Sequence, residues 1–289
     1  VAAPLLAVDT PSMLFRAFYA LPKTITGADG KPVNALLGAA NLILREVETH
    51  RPRAVVLCFG PDAAAYRVEL YPSYHEKREE EMPDELPHQF ADSREFFEAF
   101  GWTVASSGDL EADDLLGTFA SREVAKPGGQ AMLLTGDRDM YQCASDRVTV
   151  LYVRTGGKGA EEVGPEEVRE RYGIGPELVP DFIALRGDPS DGLPGAKGVG
   201  PKTAAELLRK HGSLEAILDN AIREQRPKLR AALIEGREDL LVFKDIATLR
   251  DAGVDPPADR ETDWAGAAAA ARERGMNRLA ERLEAGGSR

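Results

Sequence analysis

At 289 residues, 43% hydrophobic and 29% charged, the chain has ordinary globular composition and enough length for one large domain or two modest ones. Its two cysteines, Cys58 and Cys143, exclude a disulfide framework and a cysteine-rich zinc site, and fit a reducing, cytoplasmic setting. No stretch approaches a membrane span, "VAAPLLAVD" lacks the basic lead of an export signal, and a net charge of −12 argues against a broadly cationic surface.

Residues 5–8 read as a buried strand ending at Asp9, 35–47 as a helix, and 54–59 ("AVVLCF") as a second buried strand. Residues 71–88 hold three prolines, five Glu and no burying stripe, which predicts an exposed excursion. Leu86, Phe90, Phe97 and Phe100 then recur at helical spacing and bring the chain back to the core. A short strand at 103–105 precedes a helix over 110–124, where Ala112, Leu115, Leu116 and Phe119 form one apolar stripe; strands follow at 131–134 and 148–153. Short apolar runs spaced by helices predict an α/β fold, a doubly wound, mostly parallel sheet with helices on both faces. After Thr155 the chain turns Gly/Pro-punctuated and helical, so an α/β unit over 1–155 and a smaller helical unit over 156–289 are expected. The ending "WAGAAAAARERGMNRLAERLEAGGSR" reads as one polar-faced helix and a frayed tail.

In an open parallel sheet the active site lies outside the carboxyl ends of the strands. Asp9 ends one strand, Asp137 and Asp139 follow another, and "GDLEADDLLG" places Glu111, Asp113 and Asp114 at a helix start on the same edge. Singly, such acids are N-caps or turn residues. Together they are expected to reach one point, where they would repel unless a cation sits among them. The four histidines lie in separate segments, so an all-carboxylate site favours Mg²⁺ or Mn²⁺ over Zn²⁺. The number of acids suits a pair of ions, which activates water and holds the leaving oxygen of a phosphodiester. Residues 193–230 carry eight Lys or Arg against four acids, a basic face on an acidic body. Within "GDPSDGLPGAKGVGPKTA", Asp188 and Asp191 stand in a tight turn before Gly198-Val199-Gly200 and a helix opened by Pro201. There the backbone amides of Gly198 and Gly200, with Lys197 and Lys202, can face a phosphate of duplex DNA without reading bases.

The ordered motifs "VDT", "LEADD", "TGDRDMYQ" and "GDPSDGLPGAKGVGPKTA" closely resemble the bacterial 5′-nuclease, or flap endonuclease, family, which includes the 5′→3′ exonuclease domain of DNA polymerase I; the likeness runs from about Leu5 to beyond Thr248. The resemblance implies cleavage of DNA near a flap, nick or 5′ end in replication or repair, with two or more Mg²⁺ or Mn²⁺ ions. It also implies a helical arch at about 71–94 and a helix-three-turn-helix at about 177–212 that binds K⁺. With no polymerase motif after these, the chain reads as a stand-alone and monomeric nuclease. Carried over by motif, Asp9, Glu111, Asp113 and Asp137 match the first metal site and Asp139, Asp188 and Asp191 the second, with Asp114 as a further acid. Arg67, Tyr74 and Arg78 match positions near the scissile phosphate and terminal bases, and His75 stands where the family carries Lys. Gly60 replaces an Asp, with Asp62 as a candidate substitute, and Gly192 replaces an Asn. A DNA-junction binder with weakened catalysis and an RNA-cutting relative are the alternatives.

Overall fold

The computed structural model describes residues 2–76, 82–154 and 159–286. Its sheet has six strands in the order β3-β2-β1-β4-β5-β6: β1 (Leu5–Asp9), β2 (Ala54–Phe59), β3 (Thr103–Ser106), β4 (Ala131–Thr135), β5 (Val148–Val153) and β6 (Ala160–Val163). The first five pair in parallel and β6 runs antiparallel to β5. β1 lies between β2 and β4, so the chain winds outward from it in both directions and a crevice opens at its carboxyl end.

Period-2 alternation along the strands builds a core on each face. Leu5, Ala7, Val56, Cys58, Leu133 and Val150 face one core, which Leu115, Leu116 and Phe119 of α5 (Ala112–Ala125) cover. Leu6, Val8, Val55, Leu57, Leu134 and Leu151 face the other, under α1 (Thr10–Ala20), α2 (Asn34–His50) and α4 (Pro87–Glu98). Between β2 and α4 lies α3 (Ala65–Leu70), a short helix that begins the excursion.

The sheet runs past residue 155. β6 ("AEEV") has no run of β-branched residues, yet its pairing with β5 closes the sheet edge at Val163. Beyond it come α6 (Pro165–Tyr172), α7 (Val179–Arg186), α8 (Pro201–His211), α9 (Leu214–Asp219), α10 (Pro227–Glu235) and α11 (Arg237–Ala247). Phe182, Ile183, Leu207 and Leu214 of this group share the core of the first sheet face, so these helices do not form a separate core. The ending is two helices rather than one: α12 (Trp264–Glu273) and α13 (Asn277–Gly286) are broken at Gly275, whose φ of 76° favours glycine. Ala267, Ala271 and Leu279 return them to the second sheet core beside Phe96 and Phe97.

The chain travels from α11 back to α12 as an extended strap anchored on Arg53. Its guanidinium donates two hydrogen bonds to the buried Glu123 carboxylate (2.6 and 2.8 Å) and donates to Asp259 Oδ1 and the Pro257 carbonyl, each at 2.8 Å. Burial pushes the Glu123 carboxyl up, but the hydrogen bonds from Arg53 and Lys126 outweigh it and hold the pKa below the usual range. A depressed carboxyl stabilises the fold above its unfolded pKa and loses that contribution as pH falls through the folded value. Arg53→Ala should therefore cost roughly 3 kcal/mol at pH 7, read by urea denaturation, and the deficit should shrink near pH 3. A deficit independent of pH would show that lost packing, not the ion pair, carries the effect.

Candidate active site

The carboxyl end of β1 delivers Asp9 to the crevice, where it is 6% exposed. Its Oδ1 accepts from Ser12 N (3.1 Å), capping α1, and its Oδ2 accepts from the wholly buried Thr135 hydroxyl (2.9 Å). That hydroxyl oxygen also accepts from Asp137 N (3.0 Å), so one threonine ties the ends of β1 and β4 together. Asp137 in turn caps the turn that follows, accepting from Asp139 N at 2.9 Å. Glu111 is the N-cap of α5 and stands across the crevice. Its Oε1 accepts from Ala64 N (2.7 Å), and the Tyr74 hydroxyl donates to the carboxylate at 3.2 to 3.3 Å.

Glu111, Asp113, Asp137, Asp139 and Asp191 line one cavity together with Arg67, Tyr74 and His75. At ≈ 40 Å³ it has room for a few water-sized groups. Electrostatics within it are unfavourable. Burial, then Asp9, Asp137, Glu111 and Asp139, raise the Asp113 pKa well above the ordinary carboxylate value. Burial and then Asp191 lift Asp137 to about 6, and burial, Asp137, Asp191 and Asp188 push Asp139 well up. Carboxylates from four chain segments thus feel one another strongly.

Asp9 and Asp188 are not among the residues that line the cavity. Among the described residues no three His, Cys, Asp or Glu side chains form a group that could hold a metal ion as they stand. Three of the carboxylates accept from local donors: Ser12 and Thr135 for Asp9, Ala64 and Tyr74 for Glu111, Ser190 and Arg186 for Asp188. The donor set still fits hydrated Mg²⁺ or Mn²⁺, which use carboxylate oxygens and keep several waters in between. Asp114 is not among the residues that line the cavity. It is wholly buried, and its oxygens accept from both Nη atoms of Arg67 and from Arg250 N.

Arg67, just before the expected excursion, and Tyr74 and His75 within it are buried rather than exposed. Arg67 is 3% exposed and ion-paired, so it borders the cavity without offering a free guanidinium to solvent. Tyr74 and His75 are 5% and 7% exposed, their rings stacked at 4.0 Å. The polar sequence around them hides this burial, which arises because the start of the excursion docks on the 188–193 turn. His75 N donates to the Asp191 carbonyl (3.1 Å), and its Nε2 lies 3.2 Å from Asp191 Oδ1. His75 has a φ of 59°, and Gly192, with a φ of 78°, admits the approach: a Cβ there would stand 2.8 Å from the Ser73 carbonyl oxygen. Asp62, the candidate substitute for the acid missing at Gly60, is mostly exposed and lies 3.7 Å from His75 Nδ1. Arg78 lies outside the described residues. Lys197, Gly198, Gly200 and Lys202 are exposed at the start of α8, and a Cβ at either glycine would meet nothing within 4 Å, leaving that backbone open to a phosphate.

Arg16 was not legible as part of this site. Its Nη2 donates to the Gly136 carbonyl (2.6 Å) between Asp9 and Asp137, and it lowers the Asp9 pKa against the dominant effect of burial. The available signal is its place two turns into the helix that follows "VDT". Thr135, directly before "GD", carried a similar signal as the last residue of a buried strand.

Residues 4–173 match the family model described as 5′-3′ exonuclease, N-terminal resolvase-like domain, and residues 174–263 match 5′-3′ exonuclease, C-terminal SAM fold. A 5′-3′ exonuclease of Mycobacterium tuberculosis is 41% identical, the match covering 75% of this chain and 73% of that protein. The thermostable DNA polymerase I of Thermus thermophilus is 38% identical over 97% of this chain, which spans only 32% of that relative. Among solved structures, a bacteriophage T5 flap endonuclease in a pseudo-enzyme-product complex with DNA and metal ions superposes with a TM-score of 0.70. It is 18% identical, with 97% of each chain covered.

Proposed function

Because the chain belongs to the 5′-3′ exonuclease family and is a nuclease of that family, we propose that it hydrolyses DNA phosphodiesters at flaps, nicks or 5′ ends by a two-metal mechanism, in replication or repair. The observation that carries this reading is the gathering of carboxylates from three separate segments around one cavity, with Asp9 of a fourth close enough to act on Asp113, at the switch point of the sheet. Asp9, Glu111, Asp113 and Asp137 would hold one Mg²⁺ or Mn²⁺, and Asp139, Asp188 and Asp191 a second. Bound ions would acidify water and offset charge on the phosphoryl oxygens. The protein's own part is to orient: Thr135 locks Asp9 against Asp137, and Tyr74 with Ala64 N turns Glu111 inward.

The segment from α7 through α8 would grip the duplex as a helix-three-turn-helix, through the Gly198 and Gly200 amides, Lys197, Lys202 and a K⁺ ion, with the protein acting as a monomer. Phosphate contacts bind without reading sequence. Lys202→Ala should weaken duplex binding equally for unrelated sequences and reduce the slope of log affinity against log salt by about 1. An unchanged slope, measured by fluorescence anisotropy, would remove Lys202 from the interface.

The test of the function itself is a 5′-labelled flap duplex incubated with Mn²⁺, with and without EDTA. Product near the flap junction that disappears with chelator is expected. Binding without product in Mn²⁺ would favour a junction binder, and faster cleavage of matched RNA would reassign the substrate.

A further inference from the structure

Arg67 and Asp114 are bound to each other beneath the cavity. Arg67 Nη1 donates to Asp114 Oδ2 (2.8 Å), Nη2 donates to Oδ1 (2.9 Å), and Nε donates to the Ile246 carbonyl near the end of α11 (3.0 Å). Asp114 Oδ1 also accepts from Arg250 N (2.8 Å), and Oδ2 accepts from Glu111 N (3.2 Å). One guanidinium and one carboxylate thereby join α3, the first turn of α5 and the chain leaving α11. Arg67 Nη1 reaches one step further, to Glu111 Oε1 at 3.1 Å.

Besides its place in the capping box of α5, the Glu111 side chain takes three partners from residues 64–74: Ala64 N, Tyr74 Oη and Arg67 Nη1. Where α3 sits therefore decides where Glu111 points, and the Arg67–Asp114 pair decides where α3 sits. A wholly buried carboxylate and a guanidinium bonded at Nε and both Nη atoms have little left to offer an ion or a phosphate.

We infer that Arg67 and Asp114 are a buried pair of positioning residues that aims Glu111 at the metal, and are neither a phosphate-binding arginine nor a direct metal ligand. The role rests on the metal-dependent nuclease reading above. It predicts that Arg67→Ala and Asp114→Ala each raise the Mn²⁺ concentration at half-saturation about tenfold, measured without DNA by calorimetry, while the number of ions bound is unchanged. On a flap substrate kcat should fall and KM change less than about twofold. The double variant should be no worse than either single one, because both remove the same unit.

Melting in EDTA identifies variants folded at the assay temperature. Should Ala variants unfold, Arg67→Lys and Asp114→Asn, which keep similar shape but lose the paired hydrogen bonds, take their place with smaller shifts in the same direction. A raised KM and shallower salt slope for Arg67→Ala at unchanged Mn²⁺ affinity would overturn the idea in favour of a phosphate contact. Loss of one bound ion in Asp114→Asn alone would overturn it in favour of a ligand. Wild-type protein that takes up no Mn²⁺ would sink the nuclease reading, and this role with it, which is a result distinct from either of those.

Discussion

Asp113→Asn is expected to lower kcat on a flapped duplex by roughly 10³-fold or more while raising the stability of the protein freed of divalent ions. Both effects have one cause. Asp113 sits where burial and then Asp9, Asp137, Glu111 and Asp139 oppose its ionisation, so its charge is a burden on the metal-free fold and becomes useful only when ions are present. The neutral amide has nearly the same shape, removes the repulsion and is a poor ligand. At pH 8 with EDTA the melting temperature of the variant should lie above that of the wild type. Added Mn²⁺ should stabilise the wild type more than the variant. Duplex binding should persist, because the exposed glycines at the start of α8 belong to another part of the molecule. A drop in metal-free melting temperature would show that Asp113 is structural.

Gly60→Asp should damage the protein rather than repair it, although the resemblance places an acid at that position in relatives. A Cβ on Gly60 would stand 2.5 Å from the Leu110 carbonyl oxygen and 2.7 Å from both Glu111 C and Ala112 N. All three atoms are backbone, so space opens only if the first turn of α5 moves, and that turn carries Glu111, Asp113 and Asp114. Overpacking of this kind costs about 1–3 kcal/mol. Displacing Glu111 should also lower Mn²⁺-supported cleavage. Urea denaturation and the flap assay together decide the point: a variant that is as stable as wild type and more active would mean that this turn yields easily and that the missing acid does limit catalysis.

Part of this arrangement was legible from neighbours in sequence. The strand at 54–59 and the strand at 148–153 coincide with β2 and β5, because continuous apolar runs can hide both faces only inside a covered sheet. β6 was not legible, since two adjacent glutamates mask a pairing that the edge of β5 imposes. The split of the ending at Gly275 could have been read from its Gly-Met-Asn step, a helix stop followed by a new start. Tyr74 and His75 could not be read as buried, because their cover comes from a turn more than a hundred residues away in the chain, His75 and Asp191 being 116 apart.

The sequence by itself determined that acids would stand at the carboxyl ends of β1 and β4 and at the start of α5, because periodicity and strand ends are local properties of the chain. Only the tertiary structure decided which of those acids still face the cavity. Asp114 and Arg67 are 47 residues apart, and nothing near either one shows that they neutralise each other. Neighbouring carboxylates of one motif therefore end in opposite states, Asp113 repelled by its surroundings and Asp114 fully bonded. Burial and distant donors set that difference, and both exist only once the chain has folded.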